Sequence, residues 1–282
     1  MIETLSEHAC FGGVQGFYRH TSSTIGLPMR FGLYRPPQAL GPQATSTPVL
    51  MYLAGLTCTE ETFAIKAGAQ QYAAAHGLML LTPDTSPRGT GVEGADASWD
   101  FGTAAGFYLD ATQAPWHPHW RMESYLTQDL LPLVLNHFHG RSDRIGIFGH
   151  SMGGHGALTL ALKHPALFRS VSAFAPIAAP TQCPWGQKAL AGYLGDDPAQ
   201  WARHDATELI KAGARCPSIL IDQGLSDQFL ADQLHPHLLE AACQAAGQAL
   251  QLRRHEGYDH GYYFISTFMR DHLAHHARTL LS

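Results

Sequence analysis

The sequence predicts an α/β protein with a mainly parallel central sheet, helices on both faces and an antiparallel edge near the N-terminus. Three observations carry that expectation. Short, wholly apolar runs such as Val49-Leu50-Met51-Tyr52-Leu53 read as strands buried on both faces. From there onward such runs alternate with stretches of helical period, the pattern of parallel strands joined by helical crossovers. No Gly/Ser linker, internal repeat or low-complexity tract interrupts the 282 residues, so 1–282 reads as one domain.

Each element follows in order. Residues 14–20 and 29–34 read as short strands split by a Ser/Thr/Gly turn at 22–26, and they form the antiparallel edge. Segment 36–48, rich in Pro, Gly, Ser and Thr, delivers the chain into the strand 49–53. A helix over 62–76 and a strand over 78–82 come next. Residues 85–122 carry neither period, and so long an irregular segment in a compact domain is usually functional. A helix over 125–139, a strand over 144–148, a helix over 153–164 and a strand over 170–175 follow. A Pro-rich loop then leads to a strand over 218–221, a helix over 229–246, a strand over 250–255 and a closing helix over 263–281.

Composition excludes several classes of function. Eighteen basic against 23 acidic residues leave a net charge of −5, so no basic field exists to hold nucleic acid. With 45% hydrophobic and 15% charged residues the chain can bury a core, yet no apolar run reaches the ~20 residues of a membrane span. Two acids, Glu3 and Glu7, stand among the first seven residues where a secretory signal needs positive charge, which points to a cytoplasmic protein. The five cysteines, Cys10, Cys58, Cys183, Cys216 and Cys243, form no CxxC pair and suggest neither a disulfide framework nor a thiolate zinc site. His117-Pro118-His119 and His235-Pro236-His237 have the look of metal ligands, but alternation with proline points the rings apart. No metal and no cofactor are expected.

The chemistry is read from Gly149-His150-Ser151-Met152-Gly153, a G-x-S-x-G pattern with a strand before it and an apolar helix after it. Such a turn strains the backbone at Ser151 and projects its hydroxyl at the carboxyl edge of the sheet. The Met152 amide then sits at a helix N-terminus, where an oxyanion on an attacked carbonyl would find it. An acid and a histidine should follow in loops after later strands. Asp222 and Asp227 compete for the acid; Asp227 is preferred because it lies beyond Gly224 at the mouth of the next helix. His260, in the glycine-flanked loop Gly257-Tyr258-Asp259-His260-Gly261, is the base candidate, and His255 is still in the strand. The loop Ala54-Gly55-Leu56-Thr57-Cys58-Thr59 offers a second oxyanion amide near Leu56.

Longer strings resemble the S-formylglutathione hydrolases, also called esterase D. They are Gly55-Leu56-Thr57-Cys58-Thr59-Glu60, Pro83-Asp84-Thr85-Ser86-Pro87-Arg88-Gly89, Trp99-Asp100-Phe101-Gly102 and Gly106-Phe107-Tyr108-Leu109-Asp110-Ala111-Thr112. Gly149-His150-Ser151-Met152-Gly153-Gly154-His155-Gly156-Ala157, Pro184-Trp185-Gly186-Gln187-Lys188-Ala189 and Gly257-Tyr258-Asp259-His260 continue the match nearly end to end. The resemblance implies an α/β-hydrolase fold and hydrolysis of S-formylglutathione to glutathione and formate, the second half of glutathione-dependent formaldehyde detoxification. It further implies a triad at Ser151, Asp227 and His260, oxyanion amides at Leu56 and Met152, and a cytoplasmic, often dimeric enzyme.

Two positions depart from the family pattern: Ala104, where glycine is expected, and Gly261, where serine commonly follows the histidine. Cys58 adjoins the oxyanion loop, and the family's thiol sensitivity suggests that modifying it blocks the acyl site; a small buried filler is the other reading. Trp99, Trp116 and Trp185 either wall the pocket or anchor the long loop, with Trp185 taken as a pocket candidate. Lys66, Arg88, Arg121 and Lys188 are the cations available to the carboxylates of glutathione. The alternative activity is that of a general small-acyl carboxylesterase, and the alternative class is a binding module that has lost catalysis.

Overall fold

Wholly apolar strands can only be buried by cover on both sides, and β4 (Thr47–Leu53), with every residue buried, marks the middle of the sheet. In the computed structural model, which describes residues 2–282, the chain also forms β1 (Ile2–Cys10), β2 (Gly13–Thr21), β3 (Pro28–Arg35), β5 (Met79–Pro83) and β6 (Gly140–His150). β7 (Ser170–Phe174), β8 (Ile219–Gly224) and β9 (Leu250–His255) complete one nine-stranded sheet, ordered β1-β2-β3-β5-β4-β6-β7-β8-β9. The pairs β1/β2, β2/β3 and β3/β5 are antiparallel and the rest parallel. The predicted α/β architecture with its antiparallel N-terminal edge is therefore the observed one.

The helices are α1 (Glu60–Lys66), α2 (Gln70–His76), α3 (Met122–Ser124), α4 (Leu131–His137), α5 (Met152–Lys163), α6 (Pro184–Leu194), α7 (Pro198–Ala202), α8 (Ala206–Lys211), α9 (Pro236–Ala246) and α10 (Tyr262–Leu280). Both faces of β7 show how they cover the sheet. Ala173 faces α5, close to Gly154, whereas Ser170 and Ser172 face α10 and meet His276 Nδ1 and Nε2 at 2.7 and 2.8 Å. Below α10, Asp222 of β8 receives Arg253 of β9 through two bonds of 2.6 Å, with His272 Nε2 at 3.2 Å.

Several sequence expectations are corrected. Strand β1 was not foreseen, because its residues are mostly exposed and carry no alternating pattern. The predicted helix 62–76 is two helices, parted where Gly68 takes a φ of +63°. The helix expected over 125–139 begins at Met122 and is wound as a π-turn over Tyr125–Leu130, just before Pro132, which has no N–H to continue an α ladder. The helix expected over 229–246 breaks at His235 (φ +47°), since the residue before a proline avoids the α region. The segment read as a Pro-rich loop holds α6, α7 and α8. Pro184 and Pro198 start α6 and α7 rather than interrupting them, and Asp197 and Asp205 cap α7 and α8.

The irregular segment between β5 and α3 is held by polar anchors. Trp120 Nε1 donates to Gly102 O (3.1 Å), Tyr193 Oη donates to Ala105 O (2.9 Å), and Tyr108 Oη donates to Ala54 O (2.8 Å). The last bond ties the segment to the carboxyl end of β4, where the candidate site lies.

Candidate active site

The sharp turn between β6 and α5 is visible in its backbone: Ser151 has φ +58° and ψ −120°. Glycine is required on both sides, because a Cβ on Gly149 would strike Gly153 O and one on Gly153 would strike Leu53 O. Ser151 thus reaches a pocket of about 260 Å³ lined by Gly55, Leu56, Thr57, Cys58, Trp99, His150, Ser151, Trp185, Phe229, His260 and Tyr262.

Asp227 sits in the loop after β8 and His260 in the loop after β9, and the structure brings them together. His260 Nδ1 lies 2.6 Å from Asp227 Oδ2, and Asp227 is further held by Phe229 N (2.8 Å) and Gln223 Nε2 (3.3 Å). A carboxylate only accepts, so Nδ1 carries the proton of a neutral ring and Nε2 keeps the lone pair. Ser151 and His260 share the pocket without a hydrogen bond between them, as resting sites often do. The competing residues are placed elsewhere. Asp222 is fully buried in the pairing with Arg253 and His272, and His255 stacks on Phe268 (3.8 Å) within 3.2 Å of Asp222. Burial alone would raise the Asp222 carboxyl, but its bonds from His272 and Arg253 hold it well below the usual range.

Met152 opens α5, where the first amides have no partner within the helix. Leu56 stands across the pocket in a loop whose form is held from outside: Thr57, at φ +68°, donates its amide to Ala104 O (3.1 Å). Cys58 O accepts from Thr85 Oγ1 (2.7 Å) and Arg88 Nη2 (2.9 Å). Ala104 itself has φ +63°, which accounts for glycine in the family pattern at this position. Gly261 is the N-cap of α10, in extended backbone that any residue adopts.

Trp99 and Trp185 meet edge to face at 5.6 Å and wall the pocket, while Trp116 packs on Phe101 and Trp120 (4.8 Å each) and anchors the long segment. Cys58 borders the pocket, and burial pushes its thiol up, away from thiolate. Sequence reading missed His150, Thr57, Phe229 and Tyr262 as lining residues. The available signal was adjacency, since each lies one or two residues from Ser151, Leu56, Asp227 or His260. His150 packs on His260 (4.3 Å between rings), and burial first, then the nearby His260, push its pKa far down, so it stays neutral beside the base. Among the described residues no group of three or more His, Cys, Asp or Glu side chains is arranged to hold a metal ion.

The family model described as "Putative esterase" matches residues 22–275. S-formylglutathione hydrolase of Rattus norvegicus is 50% identical over 282 residues, covering 99% of each chain, and that of Paracoccus denitrificans is 52% identical over 278 residues, covering 99% of this chain and 98% of the relative. The chain belongs to the S-formylglutathione hydrolase family. A solved S-formylglutathione hydrolase from Agrobacterium tumefaciens superposes with a TM-score of 0.96 at 48% identity, covering 99% of both chains, so membership extends over the whole fold. The family is one of serine esterases, and this chain is such a hydrolase.

Proposed function

We propose that the chain hydrolyses S-formylglutathione to glutathione and formate through Ser151, His260 and Asp227. The observation that carries this is the Asp227–His260 pair set in one pocket with the strained Ser151, in a chain 50% identical, nearly end to end, to a hydrolase of that name. His260 Nε2 takes the Ser151 proton as Oγ attacks the formyl carbon. The amides of Leu56 and Met152 receive the negative charge on the carbonyl oxygen. Collapse breaks the C–S bond, His260 returns the proton to the departing glutathione sulfur, and a formyl ester remains on Ser151. Water, deprotonated by His260, attacks that ester and releases formate. Asp227 keeps the ring in the tautomer this cycle needs.

The acyl group is small, and the aromatic wall of Trp99, Trp185 and Phe229 suits a pocket that excludes bulk. We further propose that it works in glutathione-dependent removal of formaldehyde, as a cytoplasmic homodimer of single-domain subunits. Among the described residues no helix is long and apolar enough to cross a membrane. The test is hydrolysis of S-formylglutathione beside p-nitrophenyl acetate by wild type and Ser151→Ala. A fast thioester rate that falls by about 10⁴-fold or more in the variant is expected. Wild type acting on the acetate ester alone would move the protein to the general esterases.

A further inference from the structure

Glutathione presents two carboxylates, that of glycine about 5 Å and that of the γ-glutamyl arm about 7 Å of chain beyond the Cα of the reacting cysteinyl unit. An enzyme for its thioesters gains from a cation near the mouth of the pocket that holds the serine. Of the four cations the sequence offers, the structure engages two with acids. Arg88 forks onto Asp84 (Nε to Oδ2 2.7 Å, Nη2 to Oδ1 2.9 Å), and Lys188 is bound to Asp100 and to Ser98 Oγ (2.8 Å). Arg121 is exposed where its backbone pairs with Asp110; like Lys66 it does not line the pocket, but unlike Lys66 it stands over no ring of the lining among the described residues.

Lys66 differs from all three. It is exposed at the last position of α1, the helix that begins directly after the oxyanion loop, and no carboxylate lies within 4.0 Å of its ammonium among the described residues. Its Nζ stands 5.7 Å from the centroid of the Tyr262 ring, and Tyr262 lines the pocket beside Cys58. The cleft itself is apolar, no lysine or arginine lines it, and Lys66 adjoins it through the Tyr262 ring.

We propose that Lys66 binds a carboxylate of the glutathione moiety and so sets the preference for glutathione thioesters over neutral acyl substrates. The proposal rests on the functional reading above. Lys66 acts on the leaving-group half of the substrate, away from the reacting atoms, so its contribution falls mainly on KM. A solvated pair of this kind is worth a few-fold in binding, and reversal of the charge more.

The experiment compares kcat/KM for S-formylglutathione with kcat/KM for the uncharged S-formyl-N-acetylcysteamine, in wild type, Lys66→Ala, Lys66→Glu and Lys66→Arg. The ratio of the two should fall about 3- to 5-fold in the alanine variant and about 10-fold in the glutamate variant, through KM, and recover with arginine. In wild type the same ratio should fall with added salt. A ratio unchanged in Lys66→Ala and Lys66→Glu, or equal losses on both substrates, would overturn the proposal while leaving the functional reading intact. Wild type that cleaves the neutral thioester but not S-formylglutathione would overturn both.

Discussion

Ala104 pays for its place in the fold with a left-handed backbone, φ +63°, that glycine would adopt without strain. Its carbonyl receives the Thr57 amide and so shapes the oxyanion loop, but the methyl group takes no part in that bond. Ala104→Gly should therefore stabilise the protein by about 0.5–1 kcal/mol, the relieved strain less the added freedom of the unfolded chain, with esterase activity retained. Thermal melts of the two proteins decide it, and a lower Tm in the variant would mean the alanine is at ease there. The two aspartates that competed in the sequence separate in the same way. Asp227→Asn should cost about 10³–10⁴-fold in kcat, because an amide no longer holds the His260 tautomer, with little loss of stability. Asp222→Asn should do the reverse, keeping kcat and losing about 3 kcal/mol, as Arg253 and His272 lose a buried anionic partner. Denaturant melts and ester kinetics on both variants test the assignment; an active Asp227→Asn enzyme would end it.

Among the elements, legibility followed burial. Strands β4, β7 and β8, the second half of β6, the elbow and α5 were readable because burial leaves largely apolar runs, while β9 matches its predicted bounds of 250–255 although none of its residues is fully buried. Strand β1 was not, because an edge strand that faces water needs no apolar alternation. Helices α6 to α8 were hidden by their prolines, which lie at helix starts where the missing N–H costs nothing. At the site, Ser151, Asp227 and His260 could be read from their order after successive strands. The wall could not: Trp99 meets Trp185 across a sequence gap that only the folded loop closes. For the same reason Lys66 stood level with Arg88 and Lys188 in the sequence, and only the ion pairs with Asp84 and Asp100 set it apart.

For the whole molecule, the buried histidines, not the His-Pro-His pairs that suggested metal binding, set the response to acid. Burial lowers His155 to about 3 and His204 and His275 to about 4, and it also pushes down His150, His272 and His276. The unfolded chain takes protons on these rings from about pH 6.5 downward, and the folded chain does so only far lower. Their contribution to stability is therefore complete above about pH 6.5 and is lost progressively as pH falls towards 4. Glu123 adds a later loss: although burial raises it, bonds from His164 and the charge of Lys163 bring it to about 2, so its share disappears between its ordinary 4.5 and that value. Glu60 and Asp205, raised by burial, oppose this, since each keeps its proton in the folded chain to a higher pH than in the unfolded one. Six lowered histidines outnumber these two carboxylates, so stability should fall between pH 7 and 5. At pH 5 His155, His204 and His275 each cost about 1–2 kcal/mol, and with the other buried rings they should lower Tm by on the order of 10 °C. His275 donates to Val171 O at 3.1 Å from a partly buried position, so His275→Gln can keep that bond without the titrating ring and should make the fall shallower. A Tm that stays level from pH 7 to 5 in wild type would show that these rings meet water before they meet protons.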